Sequence, residues 1–221
     1  MRLYSPCFTT LLEIEEGRPF VLVIENRMLF RRVLEELHTQ TSGGAGAMVL
    51  SEDNTPLSVS KNMEVLEQFA PFEINTRSLL SKLCTVGEQT AVDEAHYLST
   101  AQMLANVEKY ITELFFDFPL GMECRKLDAG ALLKAVAPAI TEDFSHPIEA
   151  VLSYISIAME LEQRKLFVTV NMHGYFDDAE MKQFVCEAQK KQLYILMLEN
   201  AAYSILPETQ RLIIDKDLCE F

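Results

Sequence analysis

The sequence contains few residues arranged for redox or metal chemistry. Its five cysteines are scattered and odd in number, with neither a CxxC pair nor the Cys/His spacing of a zinc site. They are Cys7, Cys84, Cys124, Cys186 and Cys219. This pattern indicates reduced thiols of a cytosolic protein rather than a disulfide framework or a zinc centre.

Recognisable catalytic sets are also missing. The four histidines stand apart from one another, and none belongs to a frame such as HExxH. No serine or cysteine lies in a nucleophile elbow. Asp177, Asp178 and Glu180 could bind a metal, but acids at the start of a helix explain them without one. The sequence therefore predicts a protein that is not an enzyme.

Positive charge is scarce, because 19 Lys and Arg face 33 Asp and Glu and give a net charge of −14. Taken alone, this charge argues against nucleic acid and for a cationic partner, although it does not say how charge is distributed over an assembly. No apolar run approaches the roughly eighteen residues of a membrane helix, and no signal-peptide pattern opens the sequence. We expect a cytoplasmic protein that does not bind membranes.

Residues 166–198 carry the clearest structural pattern. Two apolar runs, Leu166–Val170 and Leu193–Leu198, have the low polar alternation of strands buried on both faces. Between them, Asp177 or Asp178 can cap a helix whose apolar residues recur at helical spacing. A strand, a helix and a strand in about thirty residues make a right-handed parallel unit. The segment PFVLVIEN, followed by a capping Asn26 and an apolar stripe, predicts a second strand-to-helix unit. The fold class is therefore α/β.

An all-helical segment interrupts this α/β pattern. Asn75 and Thr76 open a helical region that extends to about Phe118, with Gly87 dividing a first helix from a long second one. Shorter helices follow on either side of Pro138. We predict a discontinuous α/β head, residues 1–74 and 146–221, and a helical leg inserted at 75–145.

The glycine-rich segment TSGGAG at 41–46 does not predict a phosphate loop. Such a loop joins a strand to the N-terminus of a helix, and the Walker form ends in Lys and Ser or Thr. Here the segment follows a predicted helix and leads into the apparent strand AMVLS. It is interpreted as a mobile connection.

Two polar groups remain as candidate binding sites. Arg27, Arg31 and Arg32 lie off the apolar stripe of the first helix, and Arg27 and Arg31 share a face where they would repel without a nearby anion. The second group consists of carboxylates that could bind a hard cation such as calcium. Its members are Glu113, Asp117, Glu123 and Asp128, with Arg125 and Lys126 among them as alternative neutralising charges.

The order and spacing of several segments resemble a known family. They are PFVLVIEN, FEIN before a helix, LFVTVN with Tyr175 four residues after Asn171, LYILMLE and the run Ile214-Asp215-Lys216-Asp217. This pattern covers essentially the whole chain. It is similar to the small CRISPR-associated ring protein of type II-A systems, which is required for acquiring new spacers.

The resemblance implies a nucleotide-kinase-like parallel-sheet head that has lost its phosphate loop, and a helical leg. It implies a homotetrameric ring whose basic hole takes double-stranded DNA by its ends. Such proteins act as scaffolds beside the CRISPR integrase and the effector nuclease. A ring can carry acid outside and concentrate its few cations on the inner wall, where phosphate contacts supply sequence-independent affinity.

The resemblance also bears on particular residues. The family binds calcium in the leg, so Glu123 and Asp128 are candidate ligands, whereas no nucleotide is expected. Arg125 and Lys126 stand where the family has acids, and we hypothesise that they replace part of the metal's charge-neutralising role. The family's DNA-contacting lysines do not align position by position. Arg27, Arg31 and Arg32 are therefore nominated on physical grounds, with Lys61 and Arg77 as further candidates.

Two other functions stay open at this point. The chain could be a degenerate nucleotide-binding enzyme of the phosphate-loop class with a site near Asn171, His173 and Glu199, although an ordinary polar loop histidine is the simpler interpretation of His173. It could also be an acidic module that contacts only proteins. Nucleotide binding, DNA binding, or neither would distinguish the three.

Overall fold

The computed structural model describes residues 1–120 and 126–221 and divides the chain into two compact units. One unit contains residues 1–74 and 143–221, and the other contains residues 75–142. The first unit, called the head, is α/β with a parallel sheet, which confirms the predicted fold class. The second, called the helical unit, holds three helices.

The parallel sheet of the head has five strands in the order β6-β7-β8-β3-β9. Every neighbouring pair in it is parallel. The strands are β3 (Phe20–Ile24), β6 (Met63–Leu66), β7 (Leu166–Val170), β8 (Tyr194–Glu199) and β9 (Gln210–Ile214). All residues of β3 and β7 are buried, as expected for strands covered on both faces.

A small antiparallel sheet accompanies the parallel one, in the order β2-β1-β4-β5. Its strands are β1 (Arg2–Tyr4), β2 (Leu12–Glu13), β4 (Val49–Glu52) and β5 (Thr55–Leu57). Its buried residues Leu3 and Leu50 belong to the same hydrophobic cluster as Leu22 and Ile24 of β3. The two sheets therefore share one core.

The head contains four helices. They are α1 (Arg27–Thr41), α2 (Val59–Asn62), α6 (Pro147–Glu162) and α7 (Asp178–Lys190). Asn26 caps α1 as predicted, because its Oδ1 accepts hydrogen bonds from the amides of Met28 and Leu29. The capping residue of α7 is Asp177, which forms a capping box with Glu180. The predicted unit of β7, α7 and β8 is present, with its two strands parallel.

The helical unit contains α3 (Arg77–Ala91), α4 (Tyr97–Leu114) and α5 (Ala129–Val136). The predicted helix break at Gly87 is wrong, because α3 continues through this residue and ends five residues before the start of α4. A Cβ at Gly87 would lie 3.0 Å from Leu133 Cδ1 of α5, so the glycine serves the close approach of α3 and α5. The break lies instead near Asp93, whose Oδ1 accepts a hydrogen bond from the amide of His96. Within the described ranges, no helix has the length and hydrophobicity needed to cross a bilayer.

Candidate functional site

The three nominated arginines lie on the solvent side of α1. Arg27, Arg31 and Arg32 are exposed, whereas Val33 and Leu37 of the same helix are buried in the core. The apolar stripe therefore fixes which side of α1 faces water, and the arginines occupy that side.

The arginines differ in how their charge is compensated. Arg31 Nε lies 3.7 Å from Glu35 Oε1 in an exposed pair one helical turn long. Neither Arg27 nor Arg32 has a carboxylate partner among the residues that the structure describes. Two guanidinium groups are therefore available to an external anion, in a protein whose net charge is −14.

The weaker candidates lie elsewhere. Lys61 is exposed at the end of α2, which packs against α1 in the head. Arg77 is the exposed first residue of α3 and belongs to the helical unit. Lys61 is thus on an element that neighbours the arginine-bearing helix.

A further cation, which sequence reasoning did not nominate, lies beside the start of α1. Lys216 follows β9, and its carbonyl oxygen accepts a hydrogen bond of 2.9 Å from Asn26 Nδ2. Its side chain belongs to an exposed residue. The run Asp215-Lys216-Asp217 was noticeable in the sequence, but only the adjacency of β3 and β9 in the sheet reveals that it borders α1.

The candidate calcium ligands remain a prediction. Glu123 lies outside the described residues, as does Arg125. Asp128 caps α5, since its Oδ1 accepts a hydrogen bond of 2.7 Å from the amide of Ala131. In residues 1–120 and 126–221, no three His, Cys, Asp or Glu side chains come together as a metal site.

The connection from β3 to α1 is too short to hold a phosphate loop. Only Glu25 and Asn26 separate the strand from the helix, and Asn26 already caps the first free amides of α1. The glycine-rich segment 41–46 instead leads from the end of α1 towards β4, as the sequence indicated. The first strand-to-helix turn of this sheet therefore lacks the glycine-rich amide cradle that binds phosphate.

The carboxyl ends of β7 and β8 carry a buried polar group. His173 Nδ1 lies 2.9 Å from Glu199 Oε1, and the side chains are 3% and 0% exposed. The ring of Tyr203 stacks on His173 with centroids 4.7 Å apart. Asn171, in the left-handed region with φ 51°, accepts a hydrogen bond from the amide of Asn200. His173 is thus a buried, paired residue, and its interpretation as an ordinary polar loop histidine is wrong.

Little space remains at this edge. A cavity of about 10 Å³ lies among residues that include Val23, His173, Glu199, Tyr203 and Arg211. His173 Nε2, Glu199 Oε2 and Arg211 Nε are buried with no protein partner. The cavity has room for about one water molecule, whereas sites for small organic ligands typically measure roughly 300 Å³ or more.

A second buried group lies between β6 and the end of α6. Glu64 accepts a hydrogen bond from the Tyr154 hydroxyl, and its Oε2 lies 3.8 Å from Arg164 Nε. Glu162 lies 3.2 Å from the same Arg164 nitrogen. Burial raises the pKa of Glu64 above its ordinary value and Glu162 adds to the rise, while Tyr154 and Arg164 act against it.

Comparisons with known proteins agree with this architecture. A family model described as "CRISPR-associated protein (Cas_Csn2)" matches residues 40–218. A search of curated proteins finds no match. Among solved structures, a putative ATP-binding protein of an ABC transporter from Pyrococcus furiosus is 14% identical, with 91% of this chain and 88% of that chain covered and a TM-score of 0.38. The ADP conformation of another ABC-transporter ATP-binding cassette is 13% identical, with 91% and 81% covered and a TM-score of 0.43.

Proposed function

The chain belongs to the Csn2 family of CRISPR-associated proteins, and from this membership we propose that it binds the ends of double-stranded DNA during the acquisition of new spacers. The active form is a homotetrameric ring with a basic hole. It acts as a scaffold beside the CRISPR integrase and the effector nuclease and catalyses no reaction itself. Binding depends on the phosphate backbone and is independent of sequence.

The observation that carries this proposal is the uncompensated charge on α1. Arg27 and Arg32 are exposed and have no carboxylate partner in the described part of the chain. An acidic protein can approach DNA only through a surface where its cations are concentrated and free. The outward side of α1 meets this requirement, because each of its unpaired guanidinium groups can bind one phosphate.

Two further features support a scaffold rather than a nucleotide-dependent enzyme. The turn from β3 to α1 consists of Glu25 and Asn26 alone and leaves no amide cradle for phosphates. At the ends of β7 and β8, the chain's own His173, Glu199 and Tyr203 occupy the edge where open α/β sheets usually take their ligands.

The tetramer is supported by apolar side chains that the helical unit leaves in water. Leu98, Tyr110 and Phe116 are 79%, 60% and 85% exposed, and α4 has no buried residue. Exposed apolar side chains in this number indicate a surface that another protein chain covers. In a homo-oligomer that chain is a second copy.

The proposal is tested by measuring the affinity of a short linear duplex for the protein at several salt concentrations. We expect the double variant Arg27→Ala with Arg32→Ala to bind more weakly and the slope of log K against log salt to fall in magnitude by about 1.8, because two phosphate contacts are lost. Lys182→Ala removes an exposed, unpaired lysine from α7 and serves as the control. Equal slopes for all three proteins would contradict the assignment to α1.

A further inference from the structure

Lys216 is coupled to the N-terminus of α1 through one side chain. Asn26 Oδ1 accepts hydrogen bonds of 3.1 and 3.0 Å from the amides of Met28 and Leu29, and Asn26 Nδ2 donates one of 2.9 Å to the Lys216 carbonyl oxygen. The same amide group therefore starts the arginine-bearing helix and holds the segment that follows β9. Because β3 and β9 are parallel neighbours, both elements leave the sheet at the same edge.

The segment around Lys216 is also ordered from its own side. Asp215 Oδ1 accepts hydrogen bonds of 2.8 and 2.9 Å from the amides of Asp217 and Cys219. The amide of Asp215 in turn donates to the Cys219 carbonyl oxygen at 3.0 Å. These bonds use the Asp215 carboxylate for the backbone and fix the turn in which Lys216 sits.

The Lys216 ammonium is free to meet a ligand. The residue is exposed, and its side chain has no carboxylate partner within residues 1–120 and 126–221. The amides at the start of α1 are satisfied by Asn26, so charge at this place comes from side chains rather than from open backbone donors. Arg27 provides a second free cation on the neighbouring element.

We propose that Lys216 and Arg27 together contact the phosphate backbone of DNA, and that Asn26 positions Lys216 for this contact. The inference rests on the proposed function and extends the DNA surface from one helix to two adjacent elements. Two cations from different elements can contact phosphates at two separated points, which restricts the orientation of the duplex.

Asp217 provides a built-in control of the electrostatics. It is exposed next to Lys216, and its carboxylate has no partner in the described ranges. If a phosphate approaches Lys216, this carboxylate repels it, and its neutralisation strengthens binding. If DNA contacts another surface, Asp217→Asn has no such effect beyond a small change in the general field.

The test measures duplex affinity against salt for the wild type and for Lys216→Ala, Lys216→Arg, Asp217→Asn and Asn26→Ser. Lys216→Ala is expected to reduce the salt slope by about 0.9 and the affinity roughly eightfold at 0.1 M salt. Lys216→Arg should restore binding, and Asp217→Asn should strengthen it severalfold. Asn26→Ser keeps a capping hydroxyl but loses the donor to Lys216, so binding should weaken while the melting temperature changes little.

The outcomes separate this inference from the function on which it rests. If the wild type binds DNA but Lys216→Ala keeps the wild-type slope, the inference is overturned and the proposed function stands. If the wild type binds no duplex at low salt, both are overturned. Lys182→Ala should match the wild type in every case, and an equal loss in this control and in Lys216→Ala would also overturn the inference by showing a non-local charge effect.

Discussion

His173 and Glu199 form a buried ion-pair contact, with 2.9 Å between Nδ1 and Oε1, across the carboxyl ends of two adjacent parallel strands. The Glu199 carboxylate also accepts a hydrogen bond from the amide of His173. One fully buried carboxylate therefore fixes both the backbone and the ring of His173. Tyr203 stacks on the other side and closes the edge.

Removal of the Glu199 carboxylate should destabilise the head. Glu199→Ala leaves the ring of His173 buried without its partner, and loss of one member of a buried pair typically costs about 3 kcal/mol or more. Urea denaturation measures the free energy of unfolding. Glu187→Ala, which breaks the exposed pair with Lys190, should cost less than about 1 kcal/mol. Similar small losses in both variants would contradict a structural role for Glu199.

Glu64 should make the stability of the head depend on pH. Its pKa is raised in the folded state, first by burial, so the folded protein binds a proton more tightly than the unfolded chain. The stabilisation is fully present below the ordinary pKa of 4.5 and is lost as pH rises through the higher folded value. Glu64→Gln stays neutral and removes this dependence.

The measurement is the melting temperature of both proteins between pH 4 and pH 8. The wild type should lose stability relative to Glu64→Gln as pH increases from 4.5 upwards. The variant keeps an oxygen that can accept the Tyr154 hydrogen bond, so its fold is retained. Parallel curves for the two proteins would show that the burial of Glu64 has no such effect.

The exposed apolar residues of the helical unit should control assembly. Leu98→Asp with Phe116→Asp places charge on side chains that are 79% and 85% exposed, so the isolated chain should still fold. If these residues lie between copies, the variant should form a smaller oligomer in light scattering. Gln89→Asp, an exposed polar position in α3, is the control. An unchanged mass for the double variant would exclude this surface from the assembly.

The hypothesis on Arg125 and Lys126 predicts an effect on assembly as well. Both cations replace acids of the family, and their reversal by Arg125→Glu with Lys126→Glu should crowd negative charge near Glu123 and Asp128. We expect this variant to assemble only when calcium is added, which sedimentation with and without the ion would detect. Normal assembly without calcium would refute the hypothesis.

Hydrophobic pattern and helix capping were enough to predict the central elements. The apolar runs that became β3, β7 and β8, and the caps Asn26 and Asp177, depend on short stretches of sequence. Gly87 was misread because glycine weakens an isolated helix, while here it permits the close contact with Leu133. Packing between helices decided this position, and local propensity could not reveal it.

The site was predictable only in part. The apolar stripe of α1 placed Arg27, Arg31 and Arg32 in water from the sequence alone. Lys216 was missed because it is 190 residues away from Asn26 in the chain and meets it only through the pairing of β3 with β9. The contact between His173 and Glu199 was missed for the same reason, although both residues had been placed near one sheet edge.

The most direct test of the account compares linear duplex DNA with covalently closed circles of the same sequence in gel-shift experiments. Binding is measured at low and moderate salt, with and without calcium. A ring that loads through DNA ends should retain the linear duplex, release the closed circle, and lose affinity as salt increases. Equal binding to both forms would contradict loading through ends, and absence of binding to either would contradict the DNA function.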